Sequence, residues 1–409
     1  MTPISNFMPT GPSWSLDWAG IDAAFPWIQA LRGAAHDPVH HREGDVWTHV
    51  RMVTEELVAD PEWRGLPDHL RLAVFAAALL HDVAKPATAS TEIVDGVERV
   101  HHHGHSRAGA VMARGILWRQ DFDPRLREIV CALISRHQTP FWLHEREYED
   151  ARRIVAGQSL TSGNRLLAIL ARADARGRIC DDRDMMELAV EEYRAIAAEH
   201  DCLDDPFPFA GERERFLYLS RRGDLDPRFP IGAPDDRPEL ILMSALPGAG
   251  KTTWIRRNAE GRPVVSLDEI RRAMRIGPEK PQGPVLEAGK EAAKVHLRAK
   301  TSFVWDTTGV TRDLREKMIG LAFDYGFAIR IVAIEAPYRE LHRRNREREH
   351  PVPVEIIERL VGKWDHPDLS ECDRLEAPAL AASGAGPTAG HPLAGYDRRP
   401  DLGSGPGVR

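Results

Sequence analysis

Eight residues, Ala245-Leu-Pro-Gly-Ala-Gly-Lys-Thr252, restrict the fold of this chain more than any other feature. A short apolar run, Leu240-Ile-Leu-Met-Ser244, precedes them, and positions 251–258 follow with helical spacing. A glycine-rich turn ending in Lys-Thr at a strand-to-helix junction points successive backbone N–H groups, and the positive end of a helix, at one spot. That spot suits the phosphates of an NTP such as ATP, with Lys251 reaching the oxygens and the Thr252 hydroxyl suited to Mg²⁺. The candidate nucleotide-binding residues are Pro247, Gly248, Ala249, Gly250, Lys251, Thr252 and Thr253. Only the first position departs from the pattern, with Ala245 where glycine is usual.

Beyond Glu239 the same logic continues: VVS, FVWD and AIRIVAI are short apolar runs separated by helical stretches. Strands alternating with helices imply a parallel sheet covered on both faces. Upstream, apolar residues recur at helical spacing, as in Val50-Val53-Leu57 and Ile129-Val130-Leu133-Ile134, so residues 1–200 are expected to form an all-α lobe. Residues 201–238, with DDPFPF, DLDPRFP and GAPDDRP, form a proline-rich connector. Residues 239–368 form the α/β lobe, and 369–409 are expected to be a disordered tail, because Ala377 to Arg409 contain 19 Ala, Gly or Pro.

The chain has 409 residues, 42% hydrophobic and 29% charged, which excludes wholesale disorder and leaves material for two or three cores. Its 55 Lys+Arg against 62 Asp+Glu give a net charge of -7, so no global positive field draws it to a polyanion. Four separated cysteines without a C-x-x-C pair indicate reduced thiols and a cytoplasmic location. No apolar run approaches 18 residues, so no membrane span is expected.

What receives a phosphate is addressed by charged residues around the sheet's carboxyl edge, where α/β folds place ligands. Asp268 and Arg271 share a face three residues apart, so a carboxylate could take a proton from an attacking hydroxyl while a guanidinium holds a phosphate. Standing alone, the segment fits an N-cap aspartate and a solvated arginine equally well. Asp306-Thr307 ends another strand, and Arg344 and Arg348 lie four apart on a helix after the last one. Residues 240–365 resemble the 5′-hydroxyl polynucleotide kinase family typified by the phage enzyme: PGxGK[ST] then Trp254, Asp268 with Arg271, Asp306-Thr307, and RNxxR before Val352-Pro353. The resemblance implies that Lys251 and Thr252 handle phosphates and Mg²⁺ and that Asp268 is the general base. It also implies that Arg271 grips a 3′-phosphate of the acceptor and that Arg344 and Arg348 close over the donor as a lid. It leaves the role of Asp306 open.

The helical lobe carries its own chemistry. His81 and Asp82 end a strongly apolar helix, where burying both is costly without a partner such as a divalent metal. Adjacent helical residues diverge by about 100°, so both reach one ion only at a helix end, and Lys85-Pro86 supply that break. His49, His105, His137 and Asp174 are further candidates, whereas His101, His102 and His103 have the look of a solvated run. Singly, each is more often a satisfied or surface residue. As an ordered H…HD…H…H…D set they resemble the HD phosphohydrolase superfamily. That resemblance implies a primary metal site of His49, His81, Asp82 and Asp174, with His105 and His137 supplying a second ion. One or two transition metals suit this donor set, and Lys85 or Arg136 lies close enough in sequence to help hold a phosphate.

Together, an all-α HD lobe followed by an α/β P-loop kinase with a parallel sheet and helical lid resembles the bacterial HD-domain polynucleotide kinases. The implied function is nucleic-acid, chiefly RNA, end healing. The helical lobe would remove a 2′,3′-cyclic, 2′- or 3′-phosphate, the P-loop lobe would phosphorylate a 5′-hydroxyl, and a separate ligase would seal. The alternative is a nucleotide phosphohydrolase fused to a small-molecule or nucleoside kinase.

Overall fold

A computed structural model of the chain describes residues 2–37, 40–94, 97–223, 225–232, 236–277, 280–348 and 351–379. Helices Val46–Ala59, Asp68–Leu80, His105–Arg119, Pro124–Arg136 and Asn164–Arg176 enclose the first core. Their starts are set locally: Asp45 accepts from Thr48 N–H, and Asp123 accepts from Arg125 and Leu126 N–H ahead of a proline at the first turn. Asp68–Leu80 is buried on all sides from Ala73 to Leu80, which brings its end, His81-Asp82, into the middle of the lobe. His105–Arg119 and Pro124–Arg136 form an antiparallel hairpin, so His105 at one start meets His137 at the other end.

The lobe is not wholly α. Strands β1 (Ser90–Val94) and β2 (Val97–His101) pair antiparallel, with Ser90 opposite His101. The alternation of STEIV and VERVH is too short and too polar to stand out among the helical periodicities.

The second lobe is a five-stranded parallel sheet of β3 (Glu239–Ala245), β4 (Val264–Ser266), β5 (Phe303–Asp306), β6 (Ala328–Ile334) and β7 (Arg374–Glu376), in the order β4-β5-β3-β6-β7. The central strand β3 is buried from Leu240 to Ala245, as expected for a strand covered on both faces. Strand β7 corrects the expectation that the chain is disordered from 369. Segment 369–376 is tied down because Arg315 and Glu371 form a fully buried two-bond pair at 2.7 Å, and Arg215 binds the carbonyls of Leu369, Cys372 and Asp373. Positions 380–409, the rest of that expected tail, lie outside the described residues.

The proline-rich connector contains a helix, Glu212–Leu219. Phe216 and Tyr218, two apart, point to different sides of it. Phe216 joins the core of the sheet lobe and Tyr218 that of the helical lobe, so the connector wedges the lobes together. Other contacts cross between the lobes: Trp118 Nε1 donates to Ala336 O at 3.0 Å, Arg114 to Trp364 O at 2.9 Å, and Arg127 to Glu335 at 2.6 Å. Arg127 and Glu335 are both buried, and Glu128 completes the network by accepting from Arg127 and Arg114. Burial works against the Arg127 charge, but Glu335 and Glu128 outweigh it and hold the guanidinium above its ordinary pKa. Arg127→Ala leaves two buried carboxylates short of a partner and should cost about 3–5 kcal/mol, read by urea unfolding.

Two candidate active sites

The helical site is built from five elements. His49 lies one turn into Val46–Ala59, His81 caps Asp68–Leu80, His105 opens its helix, His137 caps Pro124–Arg136, and Asp174 lies near the end of Asn164–Arg176. His81 being at a helix end is what lets it and Asp82 aim at one point despite being adjacent. His49 Nε2 is 3.3 Å from His81 Nε2, 3.7 Å from Asp82 Oδ2 and 3.1 Å from Asp174 Oδ1. His105 Nε2 and His137 Nε2 are 3.4 Å apart and lie 3.5 and 3.9 Å from the other oxygen, Asp82 Oδ1. Asp82 therefore spans two groups, His49/His81/Asp82 and Asp82/His105/His137, each with spacing that could hold a metal ion.

These donors fit a metal for three reasons. All are buried, and Asp82 Oδ1 has no hydrogen-bond partner among the described residues, a costly state for a carboxylate oxygen unless a cation takes it. Each imidazole is also held at its far nitrogen: Nδ1 of His81, His105 and His137 bonds the carbonyls of Ala78, His102 and Ile134 at 2.8–2.9 Å. With Nδ1–H donating, the Nε2 lone pair faces the centre. Third, imidazole mixed with carboxylate suits divalent transition metals. Burial opposes charge on Asp82, but His81 and Lys85 prevail and hold its carboxyl well below the usual range. Burial, then the neighbouring His81, lowers His137 to about 3, which keeps it a neutral ligand.

Several participants gave no signal in the sequence. Glu43 accepts from His49 Nδ1 at 3.0 Å and from His41 Nδ1 at 2.8 Å, orienting the first helix's ligand from outside. Arg178 clamps both oxygens of Asp174. His36 is buried with its Nε2 3.3 Å from Lys85 Nζ. His36, His41 and Glu43 sit in a polar loop without periodicity, and only their density of ligand types marks them. Lys85 is buried and pairs with Asp82 Oδ2 at 2.7 Å, whereas Arg136 is exposed. The solvated His101–His103 run needs correcting at its centre: His102 is half-buried, within hydrogen-bond reach of Lys85 O and Ala35 O.

Gly177 sets the approach of two of these helices. A Cβ there would lie 2.6 Å from Val53 N and 2.7 Å from Val53 Cα, both backbone atoms that cannot move without the helix carrying His49. Gly177→Ala should push that helix away from Asp174, lowering metal content at least about tenfold, as support-shell changes do, read by metal analysis of the purified protein.

In the sheet lobe, Gly248 and Gly250 adopt positive φ of 87° and 113°, and Lys251 opens the helix Lys251–Asn258. Ala245 causes no strain: it is fully buried in an apolar cluster, and its N–H donates to Thr308 O. Trp254 anchors the loop's helix by donating to Glu376 Oε1 on β7. Asp306 takes Lys251 Nζ at 2.6 Å and the Ser266 hydroxyl at 2.9 Å, so the two neighbouring strand ends and the loop converge. Asp268 and Arg271 sit in Leu267–Ala273 and pair at 2.6 Å. Arg344 Nη1 donates to Ala249 O at 3.4 Å, placing the helix Tyr338–Arg346 over the loop. That helix ends before Arg348, so Arg344 and Arg348 do not share a helical face as expected; Asn345 bonds Val352 in both directions and turns the chain there. Arg348 is exposed between the two residues that close that turn.

Gly248 is the close-approach point of lid and loop. A Cβ would meet Leu341 O at 2.8 Å in a backbone conformation already unfavourable for other residues. Gly248→Ala should therefore weaken NTP binding about tenfold, from a strain of about 1–2 kcal/mol, as read by titration of a fluorescent nucleotide.

Among the described residues no helix is long and apolar enough to cross a membrane, and the four cysteines are free. Residues 46–176 match the HD domain family and residues 240–366 the AAA domain family. The L-seryl-tRNA(Sec) kinase of Methanococcus maripaludis is 24% identical over 135 residues, 31% of this chain and 53% of that protein. The chain thus spans about half the length of that curated relative. It joins a region that matches the HD domain to a P-loop region that matches the AAA domain.

Proposed function

We propose that the chain repairs broken nucleic-acid ends, with RNA the expected substrate. The helical lobe removes a 2′,3′-cyclic, 2′- or 3′-phosphate, and the P-loop lobe phosphorylates the 5′-hydroxyl. The observation that carries this reading is the Asp268–Arg271 pair at the carboxyl edge of the sheet, a proton acceptor beside a phosphate-sized cation, in a chain whose other lobe gathers six histidine and aspartate side chains suited to phosphate hydrolysis. The name of the seryl-tRNA relative puts a hydroxyl-bearing group on an RNA, which supports an RNA-borne acceptor.

In the transfer, the 5′-oxygen forms a bond to the γ-phosphorus as the β–γ bridging bond breaks, NDP leaves, and the hydroxyl proton goes to Asp268. Lys251 and the loop N–H groups hold the donor phosphates, the Thr252 hydroxyl would hold Mg²⁺, which would offset phosphate charge, and Arg344 and Arg348 offset charge on the transferred group. Arg271 trades Asp268 for the acceptor's 3′-phosphate. In the helical lobe, His49, His81, Asp82 and Asp174 would hold one divalent metal, and Asp82, His105 and His137 would hold a second. Such metals polarise phosphoryl oxygens and activate water. Lys85 places a positive charge beside the phosphate, and one water opens the cyclic ester while a second releases inorganic phosphate.

An RNA carrying a 2′,3′-cyclic phosphate and a 5′-hydroxyl, given NTP, Mg²⁺ and a panel of transition metals, should emerge with a 5′-phosphate and free 2′- and 3′-hydroxyls, ready for a separate ligase. Activity only on mononucleotides and free nucleosides would replace this reading with a nucleotide hydrolase joined to a small-molecule kinase.

A further inference from the structure

A groove of about 650 Å³ runs between the lobes, away from the loop Ala245–Thr252. One wall is the outer faces of the His105–Arg119 and Pro124–Arg136 helices, and the other includes segment 365–371 of the kinase lobe. Because those helices are antiparallel, Arg107 and Arg136 both line the groove at the end where His105 and His137 lie. Arg312 enters from the kinase lobe.

These cations differ in how firmly they are held. Arg107 is exposed and 3.5 Å from Asp365, a loose pair against the 2.6 Å of the buried Arg127–Glu335 pair, whereas Arg312 is 3.3 Å from Asp368 and also donates to the Ser370 hydroxyl at 2.7 Å. Arg136 is exposed and has no ion pair or side-chain hydrogen bond among the described residues. A loose, solvated pair contributes little and yields readily to an anion that guanidinium binds bidentately, as it does phosphate. The volume is that of a site for an extended polar ligand and exceeds what one phosphate needs.

We propose that this groove holds the single strand leading to the phosphate-bearing end, with Arg136, Arg107 and Arg312 meeting its phosphodiesters. The proposal rests on the reading that the helical lobe works on nucleic-acid ends. It gives the joining of the lobes a physical purpose, since the strand's track is complete only when both are present. It also shows how a chain of net charge -7 meets a polyanion: through a local row of arginines.

The test uses the metal-loaded full chain, a fluorescent strand of about ten nucleotides ending in a 2′,3′-cyclic phosphate, and a 2′,3′-cyclic mononucleotide. Arg136→Ala and Arg312→Ala should each weaken strand binding about five- to tenfold and reduce the slope of log K against log salt by about 0.7, the value for one phosphate contact on a single strand. Arg312→Ala should leave KM and kcat on the mononucleotide unchanged, and Arg136→Lys should recover much of the strand affinity. Unchanged strand binding in both alanine variants, or a wild-type chain that binds no strand, overturns the groove. Equal losses on strand and mononucleotide also overturn it, placing the arginines at the metal centre instead. A wild-type chain that binds the strand through these arginines yet hydrolyses neither substrate upholds the groove and sinks the end-healing reading.

Discussion

Asp82→Asn should strip metal from the helical lobe and lower phosphate hydrolysis by at least about 10³-fold, some 4 kcal/mol of barrier, while phosphoryl transfer by the P-loop lobe continues. Among the described residues Asp82 alone contributes an oxygen to each group, with Oδ2 3.2 Å from His81 Nε2 and Oδ1 3.5 Å from His105 Nε2. The amide keeps the volume and loses the negative charge on which both groups rely. Lys85 Nζ, 2.7 Å from Asp82 and buried, is then left facing a neutral group, so some stability is lost as well. Metal analysis and a melting curve on the same sample separate the two effects. Unchanged metal stoichiometry with intact folding would refute the bridging role. Asp174→Asn provides the graded comparison: it removes a charge 3.1 Å from His49 Nε2 and deprives Arg178 of its anionic partner while both groups keep Asp82, so it should deplete metal less completely.

Much of the helical site was legible because its ligands occupy conspicuous places. His81-Asp82 stands at the end of an apolar helix, and His49 and Asp174 each interrupt an apolar stripe. The outer layer was not legible. Glu43, His41 and His36 lie in a loop, where no periodicity tells an inward side chain from an outward one, and Arg178 is one of many arginines until its two bonds to Asp174 are seen. In the sheet lobe the loop and the alternation of strands and helices were plain from local pattern, whereas Asp268 and Arg271 alone fitted a helix cap and a solvated arginine equally well and took on roles only through the family resemblance. Two boundaries depended on tertiary contacts instead. The lid helix stops at Arg346 because Asn345 bonds Val352, and β7 forms because the Arg315–Glu371 pair and β6 hold a three-residue edge that has no strong strand character of its own. The lobe contacts were hidden for a related reason: Arg114 and Arg127 have the pattern of polar positions on amphipathic helices, and burial is conferred on them only by the other lobe.

Asp268→Ala should abolish 5′-phosphorylation, by about 10²–10⁴-fold for loss of a positioned base, with NTP binding and phosphate hydrolysis unchanged. The separation follows from position. Asp268 lies on the opening turn of Leu267–Ala273, beyond the strand end that carries Ser266, and its side chain is paired to Arg271 and half exposed, so its removal leaves neither a buried charge nor a cavity. Lys251→Ala should also stop transfer, but by a different route. It removes the cation 2.6 Å from Asp306, so NTP affinity falls along with the rate. The two variants therefore part on nucleotide titration, and an Asp268→Ala protein that still labels a 5′-hydroxyl strand at the wild-type rate would remove Asp268 from the chemistry. Arg271→Ala completes the argument. A residue that grips the acceptor's 3′-phosphate should raise KM for a 3′-phosphorylated acceptor about tenfold or more, as the loss of one charge-assisted contact does, and leave a nucleoside without that phosphate unaffected. An arginine that only orients Asp268 would instead lower kcat on both acceptors alike.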